Sequence, residues 1–366
     1  MDTVTLPVSI GEALDKLTIL DIKCEKIQDG RKADCLNEFT VLSTALQAQV
    51  SKFAYYYKLL REINLEIWEL QDKFHGKNLP DAEAAALCKK ILEENDRRFR
   101  VKAKLNHAAA STLKEQKGYA KSKVFLYSHL GLGDMFWMNG AVRYLATAYD
   151  DVIIVVKEQN KENVRQMYLD DPSISFFVIP DDGALYPFWE KKKQLEAAGM
   201  TALACGYHIP GPVYEFPHSF YDDLKMPRDI RTRYFHVPSF PEAAALYTVY
   251  TGHPYILVHQ QSSIKSMPIW DYVNKMNPTG LILDINNNHY PEGHPYFALA
   301  AQAVGKPLLH YTKLLENASE IHLLESSLYC LAHHLDLSKV GKKICYSAHE
   351  NSNERLGVFA TGLLTS

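Results

Sequence analysis

The sequence lacks several features that mark particular classes of protein. Its six cysteines are scattered and form no C-x-x-C pair, which argues against a disulfide-stabilised secreted domain and against a zinc site built from them. The longest apolar runs, such as Val152–Val156, fall far short of the roughly 20 residues of a membrane-spanning helix. The first residues show no basic flank followed by an apolar stretch, so no secretory signal is expected. These absences favour a cytoplasmic protein without a transmembrane segment.

The sequence also lacks an excess of either charge. It has 40 lysine and arginine residues against 43 aspartate and glutamate residues, a net charge of -3. A chain so balanced has no overall attraction for nucleic acid, and we expect no nucleic-acid partner. Its apolar content of 47% over 366 residues is enough for buried cores and excludes a wholly disordered protein. The length predicts two or three domains.

Proline and glycine are scarce before residue 120, where only two of the 17 prolines and four of the 18 glycines fall. Because both residues weaken helices, their scarcity predicts a helical, coiled-coil-like domain over residues 1–120. Ser9 and Glu12 have the spacing of a capping box, which predicts a helix start. One apolar stripe from Phe39 to Phe74 predicts a long helix, paired with a third helix at about 81–117 or with another subunit. A homo-oligomer formed through these helices is therefore possible.

The charged run Glu93–Arg100 is interpreted as a solvated helix face. Together with the segments 9–20 and 62–68, its residues Asn95–Arg98 resemble an uncharacterised all-helical bacterial family found near surface-polysaccharide genes. The resemblance covers most of residues 5–120 and implies no activity.

After residue 120 short apolar strands alternate with helices, which predicts an α/β fold with parallel sheets covered on both faces. Two series of strands predict two Rossmann-like lobes, over residues 121–240 and 241–366. The predicted strands are Val124–Ser128, Val152–Val156, Ile174–Ile179, Thr201–Gly206, Tyr255–His259, Gly280–Ile285, Glu320–Leu324 and Lys343–Ser347. Ligands of such sheets bind at the carboxyl ends of the strands, so candidate sites are sought there.

The first candidate site follows the first strand and contains His129, Gly131, Gly133 and Asp134. Glycines at this position let the backbone approach a ligand, and the next helix begins here. The run is neither a dinucleotide-binding fingerprint, because Phe136 stands where glycine or alanine is needed, nor a P-loop. Asp134 is either a first-turn acid of the helix or a carboxylate that takes a proton from a hydroxyl group.

Two further candidates follow later strands. His259, Ser262, Ser263 and Lys265 form a loop that either binds a diphosphate or is simply a polar loop. Another strand ends near Glu325, and Ser326 and Ser327 begin a helix. A serine there caps the helix, and the helix N–H groups can face an anion. Glu325 either accepts hydrogen bonds from a sugar or ribose or merely starts the helix.

These three segments together resemble GT-B glycosyltransferases of the ADP-heptose:lipopolysaccharide heptosyltransferase-like family, over about residues 122–349. The resemblance implies that Asp134 activates the acceptor, while Lys265 and the start of the helix at Ser326 and Ser327 bind the donor diphosphate. Four departures from the family pattern leave open a lobe that has lost activity. They are Glu325 for aspartate, Ser327 for glycine, Cys330 for histidine, and Gln260-Gln261 for Pro-Gly.

The expected function is metal-independent transfer of a sugar from a nucleotide-sugar, the co-substrate, to a hydroxyl group of a saccharide acceptor, with inversion and without a bound cofactor. No D-x-D sequence, common in metal-dependent transferases, occurs in the chain. The histidines of the last lobe, from His289 to His334, lack a metal-binding spacing and are interpreted as packing or surface residues. The alternatives are an inactive GT-B-like binding or scaffolding protein and another nucleotide-sugar enzyme, such as a hydrolase or an epimerase. An epimerase working through NAD should carry the glycine fingerprint that is missing here.

Overall fold

A computed structural model describes residues 6–76, 79–118, 121–129, 131–181, 186–208, 216–263, 265–347 and 359–361, with the backbone alone for residues 186–190. The chain divides into two compact units. The first consists of Met1–Val124, Tyr144–Ile153 and Asp170–Ser175, and the second contains the remaining residues. The predicted domain boundaries at 120 and 240 stay predictions.

The first unit is built around a helical bundle. Its helices are α1 (Ile10–Lys26), α2 (Lys32–Lys52), α3 (Ala54–Phe74) and α4 (Asp81–Ala108). The Ser9 side chain accepts a hydrogen bond from the Glu12 N–H at 3.2 Å, so the predicted helix start is confirmed. α3 packs along α4 after a short connection, which makes the two an antiparallel hairpin as predicted, and α1 packs against the other three helices.

The predicted continuous helix through Phe39 and Phe74 is wrong, because the chain breaks at Phe53. Phe53 has φ -114° and ψ 33°, outside the helical range, and its side chain is only 9% exposed. The break lets α2 lie on α1 while α3 buries its apolar face. Helix α4 also ends earlier than predicted, at Ala108 rather than near residue 117.

The interpretation of Glu93–Arg100 as a solvated face is wrong for several of its residues. Glu94 and Arg97 pair at 2.9 Å with side chains only 10% and 15% exposed. Arg100 pairs with Asp150 at 2.9 Å, and the Arg97 Nε donates to the Thr147 hydroxyl at 3.2 Å. These partners lie about 50 residues away in sequence, so helical spacing alone could not predict the contacts.

The second half of the chain contains the two predicted sheets, which confirms an α/β fold with an N-terminal helical region. The first sheet has the order β3-β2-β1-β4, and the second has the order β6-β5-β7-β8-β9 with parallel pairing throughout. The strands are β1 (Lys123–Tyr127), β2 (Asp151–Lys157), β3 (Ile174–Ile179), β4 (Thr201–Ala204), β5 (Tyr255–His259), β6 (Leu281–Asp284), β7 (Glu320–Leu324), β8 (Lys342–Tyr346) and β9 (Ala360–Thr361). All eight predicted strands are therefore confirmed, with shifts of one or two residues at some ends.

Helices connect these strands, and some of them begin next to a candidate site. The predicted helix after β1 is two helices, α5 (Leu132–Trp137) and α6 (Asn139–Ala148). The others are α7 (Lys161–Met167), α8 (Tyr186–Ala197), α9 (Phe216–Asp223), α10 (Ile230–Arg233), α11 (Pro241–Thr248), α12 (Ile269–Met276), α13 (Phe297–Ala303), α14 (Thr312–Asn317) and α15 (Ser327–Ala332). Among the helices described, none is long and apolar enough to cross a membrane.

Candidate functional site

Asp134 lies in the first turn of α5, directly after the carboxyl end of β1. Its Oδ2 accepts a hydrogen bond from the Gly131 N–H at 3.1 Å, so the interpretation of Asp134 as a first-turn acid is confirmed. A Cβ atom added to Gly131 would lie 2.6 Å from the same oxygen. Glycine at position 131 therefore leaves the space that this carboxylate occupies. Because this hydrogen bond holds the carboxylate at the end of β1, the same geometry is compatible with a role as a base.

Ser326 is the N-cap residue of α15, but its hydroxyl group makes no hydrogen bond to the helix. Instead the Ser326 Oγ lies 3.0 Å from Nδ1 of His259, the last residue of β5. The expectation that the serine side chain caps this helix is therefore wrong, because an imidazole nitrogen from the neighbouring strand takes its hydrogen bond. The preceding residue, Glu325, is exposed and accepts a hydrogen bond from the Ser347 hydroxyl.

His259 is uncharged at neutral pH. The histidine is only 6% exposed, and this burial lowers the pKa of its imidazole to about 4. A neutral imidazole carries one N–H donor and one lone-pair acceptor, so it can either accept a hydrogen bond from the Ser326 hydroxyl group or donate one to the hydroxyl oxygen. In both cases the Ser326 side chain is held at the end of β5.

The starts of α5 and α15 meet inside the second unit, although they follow strands of different sheets. A Cβ atom added to Gly133 would lie 2.9 Å from the Cys330 Sγ and 3.8 Å from the Ser327 Cα. Burial raises the pKa of the Cys330 thiol, and the nearby carboxylates of Asp134 and Glu325 raise it further. The predicted site residues that this arrangement brings together are Gly131, Gly133, Asp134, His259, Glu325, Ser326 and Ser327.

Ser262, Ser263 and Lys265 form a separate turn at the surface. The Ser262 N–H donates to the Lys265 carbonyl at 2.8 Å, and the Lys265 N–H donates to the Ser262 hydroxyl at 3.0 Å. Ser263 and Lys265 are exposed, and Lys265 forms no ion pair with any described carboxylate. Within the described part of the chain, this turn makes no hydrogen bond to the start of α15.

His129 belongs to a different group of side chains. Its Nε2 lies 2.7 Å from the Gly206 carbonyl oxygen, and its ring stacks on Tyr207 at a centroid distance of 4.8 Å. Phe216 and Phe220 contact the same ring from α9. His129 therefore joins the end of β1 to the segment after β4.

Sequence reasoning missed a second polar cluster at the carboxyl ends of β5 and β6. The buried Asp284 carboxylate lies 2.7 Å from the His289 Nε2 and accepts a hydrogen bond from the Gln260 side-chain amide at 2.8 Å. Trp270 stacks on His289 at 4.6 Å. The sequence did contain a signal of this cluster, because Asp284 directly follows three apolar strand residues and so lies at the carboxyl end of a strand.

Gln260 also lines an open cavity of about 300 Å³ at this edge of the sheet. The other lining residues are Ser266, Met267, Pro268 and Asp271. Two hydrogen bonds fix Gln260 there. Its side-chain oxygen accepts a hydrogen bond from the backbone N–H of Trp270 at 3.0 Å, and its backbone N–H donates to the side-chain oxygen of Asn286 at 3.0 Å. The glutamine that replaces the proline of the resembled family therefore has a clear structural role.

A metal-binding group of three or more histidine, cysteine, aspartate or glutamate side chains does not occur among the described residues. The late histidines instead contact protein groups. His322 is 2% exposed and bonds Tyr346, while His333 and His334 contact Trp137.

Replacing Gly133 by alanine should lower the free energy of unfolding by about 1–3 kcal/mol, because the new methyl group overlaps the buried Cys330 sulfur. Cys330→Ala should relieve this overlap, so the double variant should be more stable than the sum of the two single changes predicts. Urea unfolding measures all three. Gly30→Ala, which meets no atom within 4 Å, is the control. Additive effects would show that the two helix starts do not touch in solution.

Comparison with known proteins gives matches among solved structures alone. No family model matches the chain, and no curated protein matches it in sequence. The structure of TibC, an iron-containing dodecameric glycosyltransferase from enterotoxigenic E. coli H10407, matches at 18% identity and a TM-score of 0.37. The match covers 64% of this chain and 61% of TibC, less than two thirds of its length.

Two further matches are also glycosyltransferases. The family 9 glycosyl transferase from Veillonella parvula DSM 2008 matches at 10% identity and a TM-score of 0.39, over 62% of this chain and 80% of that one. The E. coli heptosyltransferase WaaC, solved with ADP, matches at 13% identity and a TM-score of 0.32, over 61% and 86% of the two chains. The chain is thus similar in part to solved glycosyltransferases, heptosyltransferases among them.

Proposed function

We propose that the protein transfers a sugar from a nucleotide-sugar to a hydroxyl group of a saccharide acceptor. The observation that carries the proposal is the meeting of two segments at the carboxyl ends of parallel strands from different sheets. One segment holds the Asp134 carboxylate, and the other holds Ser326 and Ser327 at the start of α15. Carboxyl ends of parallel strands are where open α/β sheets bind ligands.

In this proposal Asp134 accepts the proton of the acceptor hydroxyl. The acceptor oxygen then attacks the anomeric carbon while the bond from that carbon to the diphosphate oxygen breaks, which inverts the configuration. The leaving diphosphate gains negative charge. The Lys265 ammonium and the N–H groups after Ser326 stabilise that charge without a metal ion. Glu325 accepts hydrogen bonds from the donor sugar or ribose, and Ser262 and Ser263 bind phosphate oxygens beside Lys265.

His259 positions Ser326 in the same proposal. Because its imidazole is neutral, it holds the serine hydroxyl without placing a second positive charge beside the diphosphate. Gly131 leaves room for the Asp134 carboxylate, and Gly133 lets the start of α5 lie close to Cys330 and Ser327. We assign His129 to the acceptor side as well, where its ring packs against Tyr207.

One observation favours an alternative, a catalytically inactive protein that binds or scaffolds. The Cys330 sulfur lies directly against Gly133, so the two helix starts pack on each other at that point. A protein of this kind would bind a nucleoside diphosphate, or a partner, without turnover. Separate measurements of binding and of turnover distinguish the two functions.

Calorimetric titration with the diphosphates of adenosine, uridine, guanosine and cytidine tests the donor side. We expect one of them to bind, and Lys265→Ala to weaken its binding about tenfold or more, because a charged hydrogen bond to phosphate is lost. The control is Lys275→Ala, which removes an exposed lysine of α12 and should leave the affinity unchanged. Equal affinities in both variants would remove Lys265 from the donor site. Binding without hydrolysis or transfer of any nucleotide-sugar would support the alternative.

A further inference from the structure

The guanidinium group of Arg231, on the short helix α10, has no acidic partner in the part of the chain that the structure describes. The residue is partly buried, yet its side chain makes no ion pair or hydrogen bond with the described residues. The guanidinium group instead lies over an aromatic ring, with the Arg231 Cζ 5.4 Å from the centroid of Trp137. Nearby arginines differ, since Arg228 pairs with Asp222 at 2.6 Å and Arg233 with Asp229 at 3.8 Å. The five N–H donors of this group are thus held partly out of water, and no described residue supplies them with an acceptor.

Two buried histidines lie around the same tryptophan. The rings of His333 and His334 both have centroids 5.2 Å from Trp137. The Nε2 atoms of both histidines are buried and have no hydrogen-bond partner among the described residues. His333 is only 8% exposed, and burial, together with the charge of Arg231, keeps its pKa well below the usual range. Buried polar atoms normally have partners, so this group of unpaired nitrogens requires an explanation.

The surrounding structure holds this group in place. A Cβ atom added to Gly140, in α6, would lie 2.6 Å from the Ile230 carbonyl oxygen and 2.8 Å from the Arg231 carbonyl oxygen. The backbone of α10 is therefore in close contact with α6. Tyr329 packs edge-on against His333 at 4.5 Å, and Phe359 contacts the same ring at 5.1 Å. The unpaired nitrogens thus lie among packed aromatic rings rather than on a freely moving surface segment.

We propose that Arg231 and His333 form a binding site for an oxyanion, a carboxylate or phosphate group, beside Trp137. A planar guanidinium matches two oxygens of such a group, and the His333 Nε2–H adds a third donor. An isolated buried charge is unfavourable, and a bound anion removes that penalty. A uronic acid and a phosphate ester both carry the required oxygens. Trp137 and His333 stand at the carboxyl ends of α5 and α15, the helices that begin beside Asp134 and Ser326, and the proposed site does not depend on sugar transfer.

Thermal unfolding with added anions tests the proposal. The unfolding midpoint should rise with inorganic phosphate, with glucuronate, or with both, above its value in sodium chloride of equal ionic strength. Glucose, which lacks the carboxylate, should have no effect. Arg231→Gln should abolish the rise. Arg233→Gln, which changes an exposed arginine of the same helix, should retain it. A response to one anion alone identifies the ligand class, and no response to either overturns the proposal.

The unliganded variants provide a second and independent measurement. Without anions, Arg231→Gln should unfold about 2 °C higher than the original protein, because it removes an unpaired and partly buried charge. His333→Phe, which keeps an aromatic ring among Tyr329, Trp137 and Phe359, should also be at least as stable and should weaken the anion response. A lower midpoint for both variants would show that the two side chains serve packing alone, and the proposal would then be wrong.

Discussion

Asp134→Asn is expected to fold normally and to lose sugar-transfer activity by about 10²–10⁴-fold, the usual contribution of a general base. The fold should be kept because an asparagine carbonyl oxygen can accept the same Gly131 N–H bond that the carboxylate accepts at 3.1 Å. Activity should fall because an amide cannot take the proton of the acceptor hydroxyl. Initial rates of transfer from the nucleotide-sugar that binds, at saturating donor, measure the change.

The matched control for this variant is Glu158→Gln, which neutralises an exposed carboxylate in the turn after β2. Its rate should equal that of the original protein. The affinity of Asp134→Asn for the nucleoside diphosphate should also stay unchanged, since the proposed donor contacts belong to Lys265 and the start of α15. Undiminished transfer by Asp134→Asn would show that another group accepts the proton.

Lys104→Met is expected to lower the free energy of unfolding by about 3–5 kcal/mol, because it leaves a buried carboxylate without its cation. The Lys104 Nζ lies 2.7 Å and 2.8 Å from the two oxygens of Asp171 and also contacts the Ser173 hydroxyl. The two charged side chains are only 7% and 2% exposed. Urea unfolding, followed by circular dichroism, measures the loss.

An exposed pair in the same protein provides the control. The Lys161 Nζ lies 3.5 Å from the Glu158 Oε1, and the two side chains are 50% and 62% exposed. Lys161→Met should therefore change the free energy of unfolding by no more than about 1 kcal/mol. The double variant Lys104→Met, Asp171→Leu should recover part of the loss, because it also removes the buried carboxylate that has lost its lysine. Equal effects of Lys104→Met and Lys161→Met would contradict the prediction.

The strands were predictable because each one is short and most are apolar, and proline or glycine stands near the ends of several of them. The break between α2 and α3 was not. Phe53 is surrounded by residues that favour a helix, and neither proline nor glycine stands near it. The chain turns there because α2 packs on α1 while α3 packs on α4, and such tertiary contacts leave no local mark in the sequence.

The candidate site was likewise predictable in part. The residue types at the strand ends were sufficient to single out Asp134, His259 and Ser326, since strand ends are where parallel sheets bind ligands. The partner of Ser326 was not predictable, because His259 lies 67 residues earlier in the chain. Arg231 was not predicted for a different reason. What distinguishes it is the lack of an ion pair with the described residues, and only a structure shows which side chains surround an arginine.

The ion pairs of α4 have a consequence for how this chain can be shortened. Arg100 and Lys104 reach Asp150 and Asp171, and these acidic residues belong to the same compact unit as the helices although they flank strands β2 and β3. Cutting the chain near residue 120 would remove Arg100 and Lys104, the α4 partners of these two carboxylates. A fragment without α1 to α4 would therefore unfold at a lower temperature than the full chain, and a shortened protein that keeps Asp150 and Asp171 should also keep α4.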